Sequence, residues 1–334
     1  MISRAAPPSI DTQTFDLRGA HYDLGLAQGA RTARFAAPAW WPPPPGLAFA
    51  RACAAIIREL HAPLLDELRG YADAQRLEYD DLLRGVCRWS MKTRAPSAPA
   101  VYPEGGCSSF ARVEADGHVR AGHNYDFYPI QRVRQRVRLT PDRGRPSLGM
   151  RGSAPGGRYD GVNDLGLFVS LHVVLSDEPD EARPGVPFHF WPRLVLETCA
   201  STRQAVDLLT RAPHLNPFNY LLADPTGDLA VVEAHPRRVR VRRPDGAGLA
   251  ATNHYAHPEM LDFQRGRKLT HSLGRLQALE AGAALSDHAA SVCGHAGGHT
   301  TLWSMQADLT ARTVAYAPGA PCQTAYQPAP WPGT

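Results

Sequence analysis

Two short stretches decide the fold: residues 104–110 read EGGCSSF, and residues 122–127 read GHNYDF. Apolar side chains recur on both sides of the Ala-Asp-Gly at 115–117, and Asp-Gly supplies the positive φ that a tight hairpin turn needs. The sequence therefore predicts a β-hairpin with strands at 109–113 and 118–127.

The pattern around this hairpin indicates helices first, then many short strands. Residues 47–91 carry apolar side chains at helical spacing, with Gly70 expected to bend or end the first helix, and 191–211 have the same spacing. Two later helices are predicted at 272–281 and 286–293, with Ser272 and Ser286 as N-caps. Further strands are predicted at 132–140, 167–175, 219–223, 229–234, 239–241, 303–305 and 313–316. This order is typical of an α+β fold whose layers surround antiparallel sheet.

Composition excludes several classes of protein. The 334 residues carry a net charge of only +4, and all but two of the 36 basic residues (Lys92 and Lys268) are scattered arginines, so no nucleic-acid surface is indicated. No apolar run reaches the ~20 residues of a membrane span, and the first eight residues lack the apolar stretch of a secretory signal. We therefore expect a cytoplasmic protein. The six cysteines form no CxxC pair, which argues against a disulfide framework or a zinc ribbon.

The cysteine that opens the hairpin could react with its own peptide bond. Cys107 follows two glycines, so its thiol can approach the Gly106 carbonyl, form a thioester by an N-to-S shift and be released by water. The chain would then divide into a mostly helical presegment, 1–106, and a core, 107–334. The new α-amine, with a pKa near 7.7–8, could act as base for the thiol, with Asp126 holding both. A short Gly-Gly-Cys motif is also compatible with a cysteine that only packs.

Other polar residues have competing interpretations. His295 and His299 have i, i+4 spacing with Cys293 nearby, but the glycines among them favour a loop over a metal site. His172 lies in an apolar strand, where it either lines a pocket or is a buried core histidine. The arginines at 237–243 indicate a solvated face. No GxGxxG fingerprint follows a strand, and we expect neither cofactor nor metal.

Beyond these residues, the chain resembles the N-terminal-nucleophile hydrolases related to acyl-coenzyme A:6-aminopenicillanic acid acyltransferase, and more distantly choloylglycine hydrolase. Short motifs in the family's order carry the resemblance. They are Leu17-Arg18-Gly19 with Gly25 and Gly29, Gly106-Cys107, the GHNYD of 122–126, the DGVNDLGL of 160–167, the ADPTG of 223–227 with Glu233, Thr252-Asn253-His254, the SLGR of 272–275, and the GAPC of 319–322.

This resemblance implies a four-layer αββα fold and a processed precursor. It implies Cys107 as nucleophile, Asp126 as its partner, Asn253 as an amide donor to the oxyanion, and Arg275 as support, although Arg275 could also lie on a solvated helix face. His123, Asn124, Tyr125 and His172 are the expected substrate-binding residues. Choloylglycine hydrolases carry Arg where His123 stands and have almost no presegment, which favours the acyltransferase-like branch.

The expected activity is that of a self-processing cysteine amidohydrolase or acyltransferase. It would cleave or transfer the acyl group of a small linear N-acyl amide through a Cys107 thioester, without a cofactor, nucleic acid or membrane, and with a homo-oligomer possible. One alternative is an unprocessed, non-catalytic relative that binds an acyl ligand or a partner. Another is a metal-dependent hydrolase that uses His295 and His299.

Overall fold

Two β-sheets lie face to face at the centre of the computed structural model. The structure describes residues 11–32, 34–35, 43–91, 106–127, 135–152, 154–176, 182–264, 269–288, 291–294 and 300–334. Strands β2 and β11 of one sheet contact β8 and β9 of the other, where β2 is Ser108–Val113, β8 is Phe218–Ala223, β9 is Leu229–His235 and β11 is Gly248–Ala251. The predicted 109–113 strand therefore lies against the opposite sheet.

The first sheet has eight strands in the order β1-β4-β5-β6-β7-β8-β9-β10. Its remaining members are β1 (Asp11–Gly19), β4 (Gln135–Pro141), β5 (Ser147–Arg151), β6 (Asp160–Asn163), β7 (Phe168–Val173) and β10 (Arg238–Arg242). All neighbouring strands run antiparallel except β1, which pairs with β4 in parallel. Residues 1–106, the expected presegment, therefore supply an edge strand of this sheet as well as helices.

The second sheet has six strands in the order β11-β2-β3-β12-β13-β14, all antiparallel. It is completed by β3 (Val119–Phe127), β12 (Thr300–Asp308), β13 (Thr313–Ala317) and β14 (Gln327–Ala329). Gly117 has φ of 79°, as the turn between β2 and β3 requires. The predicted hairpin is confirmed, and it forms the middle of the sheet.

Helices cover the outer face of each sheet. The described helices are α1 (His21–Ala30), α2 (Leu47–His61), α3 (Pro63–Gln75), α4 (Tyr79–Met91), α5 (Phe190–Thr198), α6 (Thr202–Arg211), α7 (Thr270–Glu280) and a 3₁₀ helix (Pro258–Gln264). Helices α5 and α6 pack on the first sheet, and α7 packs on β2 and β11 of the second. The predicted α+β class and four-layer αββα order are confirmed. Within the described ranges, no helix combines the length and hydropathy of a membrane span.

Several predicted helix boundaries are wrong. Residues 191–211 form two helices, because the chain is extended at Cys199 and Ser201 caps α6 by accepting a hydrogen bond from the Gln204 N–H. Helix α7 begins at Thr270, so Ser272 is not its N-cap. Residues 286–288 and 291–293 form turns and bends where a helix was expected.

Helix α3 runs through Gly70, so the helix does not end there. Gly70 and Gly25 instead let α1 and α3 approach backbone to backbone. A Cβ at position 70 would collide with the Tyr22 carbonyl oxygen, and one at position 25 with the Glu67 carbonyl oxygen. Both glycines are therefore required by the helix contact.

Replacing Gly70 by Ala should lower the free energy of unfolding by about 1–3 kcal/mol, because the added methyl overpacks a contact between two backbones. The matched control is Gly274→Ala in α7, where a Cβ meets nothing within 4 Å. That substitution should leave stability unchanged or raise it by up to about 1 kcal/mol, as Ala is the better helix former. Denaturant unfolding measures both, and equal effects of the two substitutions would contradict the close α1–α3 packing.

Candidate active site

The hairpin brings Cys107 and Asp126 together. Ser108 of β2 pairs with Asn124 of β3, so the residue before β2 lies beside the far end of β3. The backbone N–H of Asp126 donates to the Cys107 sulfur. Both side chains are about 5% exposed or less, so the pair is removed from bulk water.

This burial keeps both groups protonated at higher pH than usual. Burial first, and the nearby Asp126 carboxylate second, raise the pKa of the Cys107 thiol to about 12. Burial also raises the pKa of Asp126 to about 7, against opposing contributions from a hydrogen bond with Thr301 and from the Arg275 charge. Oδ1 of Asp126 makes no hydrogen bond within the part of the chain that the structure describes. The Cys107 thiol is therefore neutral at neutral pH. The pKa of the nearby Asp126 carboxyl is close to that of a solvent-exposed histidine.

Arg275 of α7 reaches the peptide bond that precedes the cysteine. Its Nη1 donates to the carbonyl oxygens of Gly106 (2.7 Å) and Cys107 (2.6 Å) and to Oγ of Ser108 (2.8 Å). The side chain is fully buried, so the solvated-face interpretation of Arg275 is wrong. Burial lowers the pKa of this guanidinium, while the neighbouring Asp126 and Cys107 act in the opposite direction. A fixed positive charge thus lies where negative charge would develop if the Gly106 carbonyl were attacked.

Asn253 lies against the same peptide. Its Oδ1 accepts from Arg275 Nη2 (3.0 Å), while its Nδ2 donates to the Val173 carbonyl oxygen (3.0 Å). A Cβ at position 106 would lie 2.4 Å from Asn253 Oδ1, so a larger residue before the cysteine would displace this amide from its present position. The Asn253 amide, the expected donor to the oxyanion, lies against Gly106. The hydrogen bond that its Nδ2 donates goes to Val173, at the end of β7 in the eight-stranded sheet.

The hydroxyl of Ser272 explains the orientation of the Asn253 loop. The backbone N–H of Asn253 donates to Ser272 Oγ (3.0 Å), which also lies 2.8 Å from Nδ1 of His254. Ser272 is therefore a partner of the site and not a helix cap. The SLGR motif signals it, because Ser272 and Arg275 are three residues apart on one face of a helix.

Three of the four expected substrate-binding residues lie between the sheets. His123 faces Asp160, with Nδ1 2.8 Å from Oδ2, and Nε2 of His172 is 2.8 Å from Oγ of Ser109. Tyr125 stacks on Trp303 with ring centroids 4.0 Å apart. All three are buried in this arrangement, and burial, assisted by His123, holds the pKa of His172 well below its usual range.

Asn124 points to the opposite face of β3. Its Nδ2 donates to the carbonyl oxygens of Leu285 (2.7 Å) and Val292 (2.9 Å), so it fastens the chain that follows α7 to the sheet. Asp160 is the residue that sequence reasoning missed: Oδ2 also accepts from Trp303 Nε1 at 2.7 Å. Its place at the start of the DGVN motif was the available signal.

A second buried polar cluster joins helices α1, α2 and α3, which precede Cys107, to helix α5, which follows it. Arg193 of α5 donates to Glu67 Oε1 (3.0 Å) and Oε2 (2.5 Å) and, through Nε, to Glu197 Oε1 (2.7 Å). His21 and His61 both direct Nε2 at Glu197 Oε2, at 3.2 and 2.8 Å. Burial works to raise the pKa of Glu197, but the Arg193 charge outweighs it and holds that pKa below its usual range.

The ligand atoms of His21, His61 and Glu197 lie within 4.8 Å of one another, close enough to share a metal ion. The surrounding charge opposes a cation, however, because the buried Arg151, Arg158 and Arg193 already surround the Glu67 and Glu197 carboxylates. We interpret this cluster as a hydrogen-bonded ion network. The metal site considered at His295 and His299 lies outside the described residues.

Removing the Asp126 carboxyl should change how stability depends on pH. A folded-state pKa near 7 means that the folded chain keeps a proton between pH 4 and 7 that the unfolded chain has lost, so stability falls as pH rises through this window. In a Cys107→Ala background, which holds both proteins unprocessed, Asp126→Asn should abolish that loss. The free energy of unfolding of the Asn form minus that of the Asp form should rise by about 1.4 kcal/mol per pH unit between pH 4 and 7. A difference that is flat with pH would contradict the buried, high-pKa carboxyl.

Solved structures resemble this chain only distantly. A mutant form of the conjugated bile acid hydrolase from Clostridium perfringens is 14% identical, with a TM-score of 0.45 over 63% of this chain and 88% of that one. The Caenorhabditis elegans ortholog of N-acylethanolamine-hydrolyzing acid amidase is 18% identical, with a TM-score of 0.46 over 61% and 93%. Penicillin V acylase from Agrobacterium tumefaciens is 18% identical, with a TM-score of 0.43 over 66% and 84%.

A comparison with curated protein sequences gives no significant match. A comparison with protein-family models gives one that covers more than half of the chain, over residues 113–291: acyl-coenzyme A:6-aminopenicillanic acid acyl-transferase. The matched range includes Asp126, Asn253 and Arg275. The resemblance inferred from the motifs is thereby confirmed, and the chain belongs to the acyl-coenzyme A:6-aminopenicillanic acid acyl-transferase family.

Proposed function

We propose that this chain is a self-processing cysteine amidohydrolase or acyltransferase whose first substrate is its own Gly106–Cys107 bond. The observation that carries the proposal is the Arg275 guanidinium, which donates to the Gly106 carbonyl oxygen at 2.7 Å inside a buried site. A buried guanidinium needs hydrogen-bond acceptors, and two of the acceptors of Arg275 are the carbonyl oxygens on either side of Cys107. The same contacts polarise the peptide bond that the Cys107 sulfur would attack.

The processing step follows from the groups around that carbonyl. The Asp126 carboxylate takes the thiol proton, and the Cys107 sulfur attacks the Gly106 carbonyl carbon. The negative charge on the carbonyl oxygen is stabilised by Arg275. The C–N bond then breaks, the Cys107 nitrogen gains a proton, and Gly106 remains on the sulfur as a thioester until water releases it as a carboxyl terminus.

The mature site would reuse the same positions. After cleavage, the α-amine of Cys107 has a pKa near 7.7–8 and accepts the thiol proton directly, so the Asp126 carboxylate is no longer needed as base. The substrate carbonyl oxygen would lie where the Gly106 oxygen lies now, next to Arg275 and the Asn253 amide. A small linear N-acyl amide would then form an acyl thioester on Cys107 and lose its amine. Water or a second amine would take up the acyl group.

We also propose that 1–106 and 107–334 remain together after cleavage. Strand β1 pairs along β4 from Asp11 to Gly19, and the buried Glu67–Arg193 ion pair crosses between the two parts. The presegment would then be the small chain of the mature protein. In this arrangement, His123, Tyr125 and His172 form the inner wall behind the nucleophile.

Replacing Arg275 should slow processing more than folding. Arg275→Gln removes the charged donor, and loss of one oxyanion donor typically costs ~10²–10³ in rate. The rate of appearance of the 107–334 fragment measures this effect. The control is Leu273→Ala on the exposed side of the same helix, which should process at the wild-type rate. An Arg275→Gln chain that melts and processes like the wild type would exclude this role for Arg275.

The activity itself is tested with a panel of N-acyl amides that vary the acyl and amine halves separately. The processed protein should release amine from at least one acyl class and give an acyl adduct on the 107–334 chain in intact mass spectra. Cys107→Ala should abolish both, whereas Cys199→Ala, at another buried cysteine, should preserve both. Adduct formation at a different cysteine, or amine release by the Cys107→Ala chain, would refute the proposed function.

A further inference from the structure

Two cysteines that are 29 residues apart in sequence meet beside the active site. The sulfur of Cys293 lies 3.5 Å from that of Cys322, and both are thiols in this structure. Cys322 belongs to the turn after β13, and Cys293 belongs to the short described segment 291–294. At the two thiols, the C-terminal part of the chain therefore contacts the region that follows α7.

The 291–294 segment forms the wall behind β3. The Val292 carbonyl oxygen accepts from Asn124, and Gly294 exchanges backbone and hydroxyl hydrogen bonds with Thr301 of β12. Gly294 also approaches the carboxylate of Asp126 so closely that a Cβ there would lie 2.8 Å from Oδ2. Whatever fixes this segment therefore fixes one side of the Asp126 carboxyl.

We propose that Cys293 and Cys322 are a redox pair that closes into a disulfide and thereby secures the wall behind Asp126. The reaction is exchange with a small-molecule disulfide. One thiolate attacks the reagent and releases one thiol. The second protein sulfur then displaces the other half as a second thiol, so that two protein thiols become one disulfide while the reagent disulfide is reduced to two thiols.

The difference in solvent exposure between the two cysteines determines which sulfur reacts with the reagent first. Cys322 is partly exposed, whereas Cys293 is 2% exposed. Cys322 is therefore the sulfur that meets the reagent, and Cys293 is the resolving sulfur. Bond formation requires the sulfurs to close from 3.5 Å to about 2.05 Å.

The disulfide should stabilise the folded protein, because it would constrain the unfolded chain by linking two cysteines that are 29 residues apart. It should act on the active site by holding Gly294 in place, since Gly294 directly follows Cys293 and approaches the Asp126 carboxylate. The pair was invisible in the sequence, where the two cysteines lie in separate motifs and lack CxxC spacing.

The test uses the full chain carrying Cys107→Ala, so that the nucleophile neither processes nor exchanges. The folded, reduced protein is treated with oxidised glutathione, digested without reductant and mapped by mass spectrometry. We expect one linked peptide pair containing Cys293 and Cys322 and a rise in melting temperature on the order of 5 °C, both reversed by reductant. Because these readouts involve no catalysis, they are independent of the proposed function.

Cys322→Ser should lose the link and the temperature rise, and Cys199→Ser should keep both. A mixed disulfide with glutathione that persists on Cys322 would overturn the proposal. A link that forms only after unfolding, or one that forms without raising the melting temperature, would overturn it as well.

Discussion

A single buried guanidinium, that of Arg275, organises the candidate active site. Arg275 donates from one nitrogen to the carbonyl oxygens of Gly106 and Cys107, and from the other nitrogen to Asn253. A buried cation without compensation is costly, and the negative ends of two peptide dipoles together with the Asp126 carboxyl supply that compensation. The α7 helix, the Asn253 loop and the hairpin are therefore held together by the same contacts that polarise the peptide bond before Cys107.

The same burial accounts for the unusual acidities. The Cys107 thiol and the Asp126 carboxyl are both shifted toward their neutral forms, mainly by removal from water. In the proposed mechanism, the uncleaved chain keeps the Cys107 thiol unreactive until its proton passes to Asp126. Cleavage would change this situation by creating an amine next to the sulfur, which explains how one cysteine could be slow in the precursor and fast in the mature protein.

The hairpin was predictable because its signals are local. The Asp-Gly turn, the alternating apolar residues and the Gly-Gly before Cys107 all lie within 24 residues. The roles expected of Asn253 and Arg275 came from the family resemblance, and nothing local placed them beside the Gly106 carbonyl. Their meeting depends on how α7 packs against β2, which is a tertiary contact that periodicity does not encode.

Other features could not be predicted from the local sequence either, because they also depend on tertiary contacts. The parallel strand β1 depends on a partner 122 residues away, and the break between α5 and α6 depends on an extended Cys199 within otherwise helical spacing. The Glu67–Arg193–Glu197 network joins helices α3 and α5, and nothing in the local sequence indicates that these charged residues are buried. Buried ion pairs of this kind become visible only when packing is known.

The most direct test of this account is the amino terminus of the large chain after the purified wild-type protein is incubated at neutral pH. Intact mass and terminal sequencing should find Cys107 as a new first residue, with 1–106 still associated. A chain that stays whole through prolonged incubation, or one cut at any bond other than Gly106–Cys107, would contradict the account.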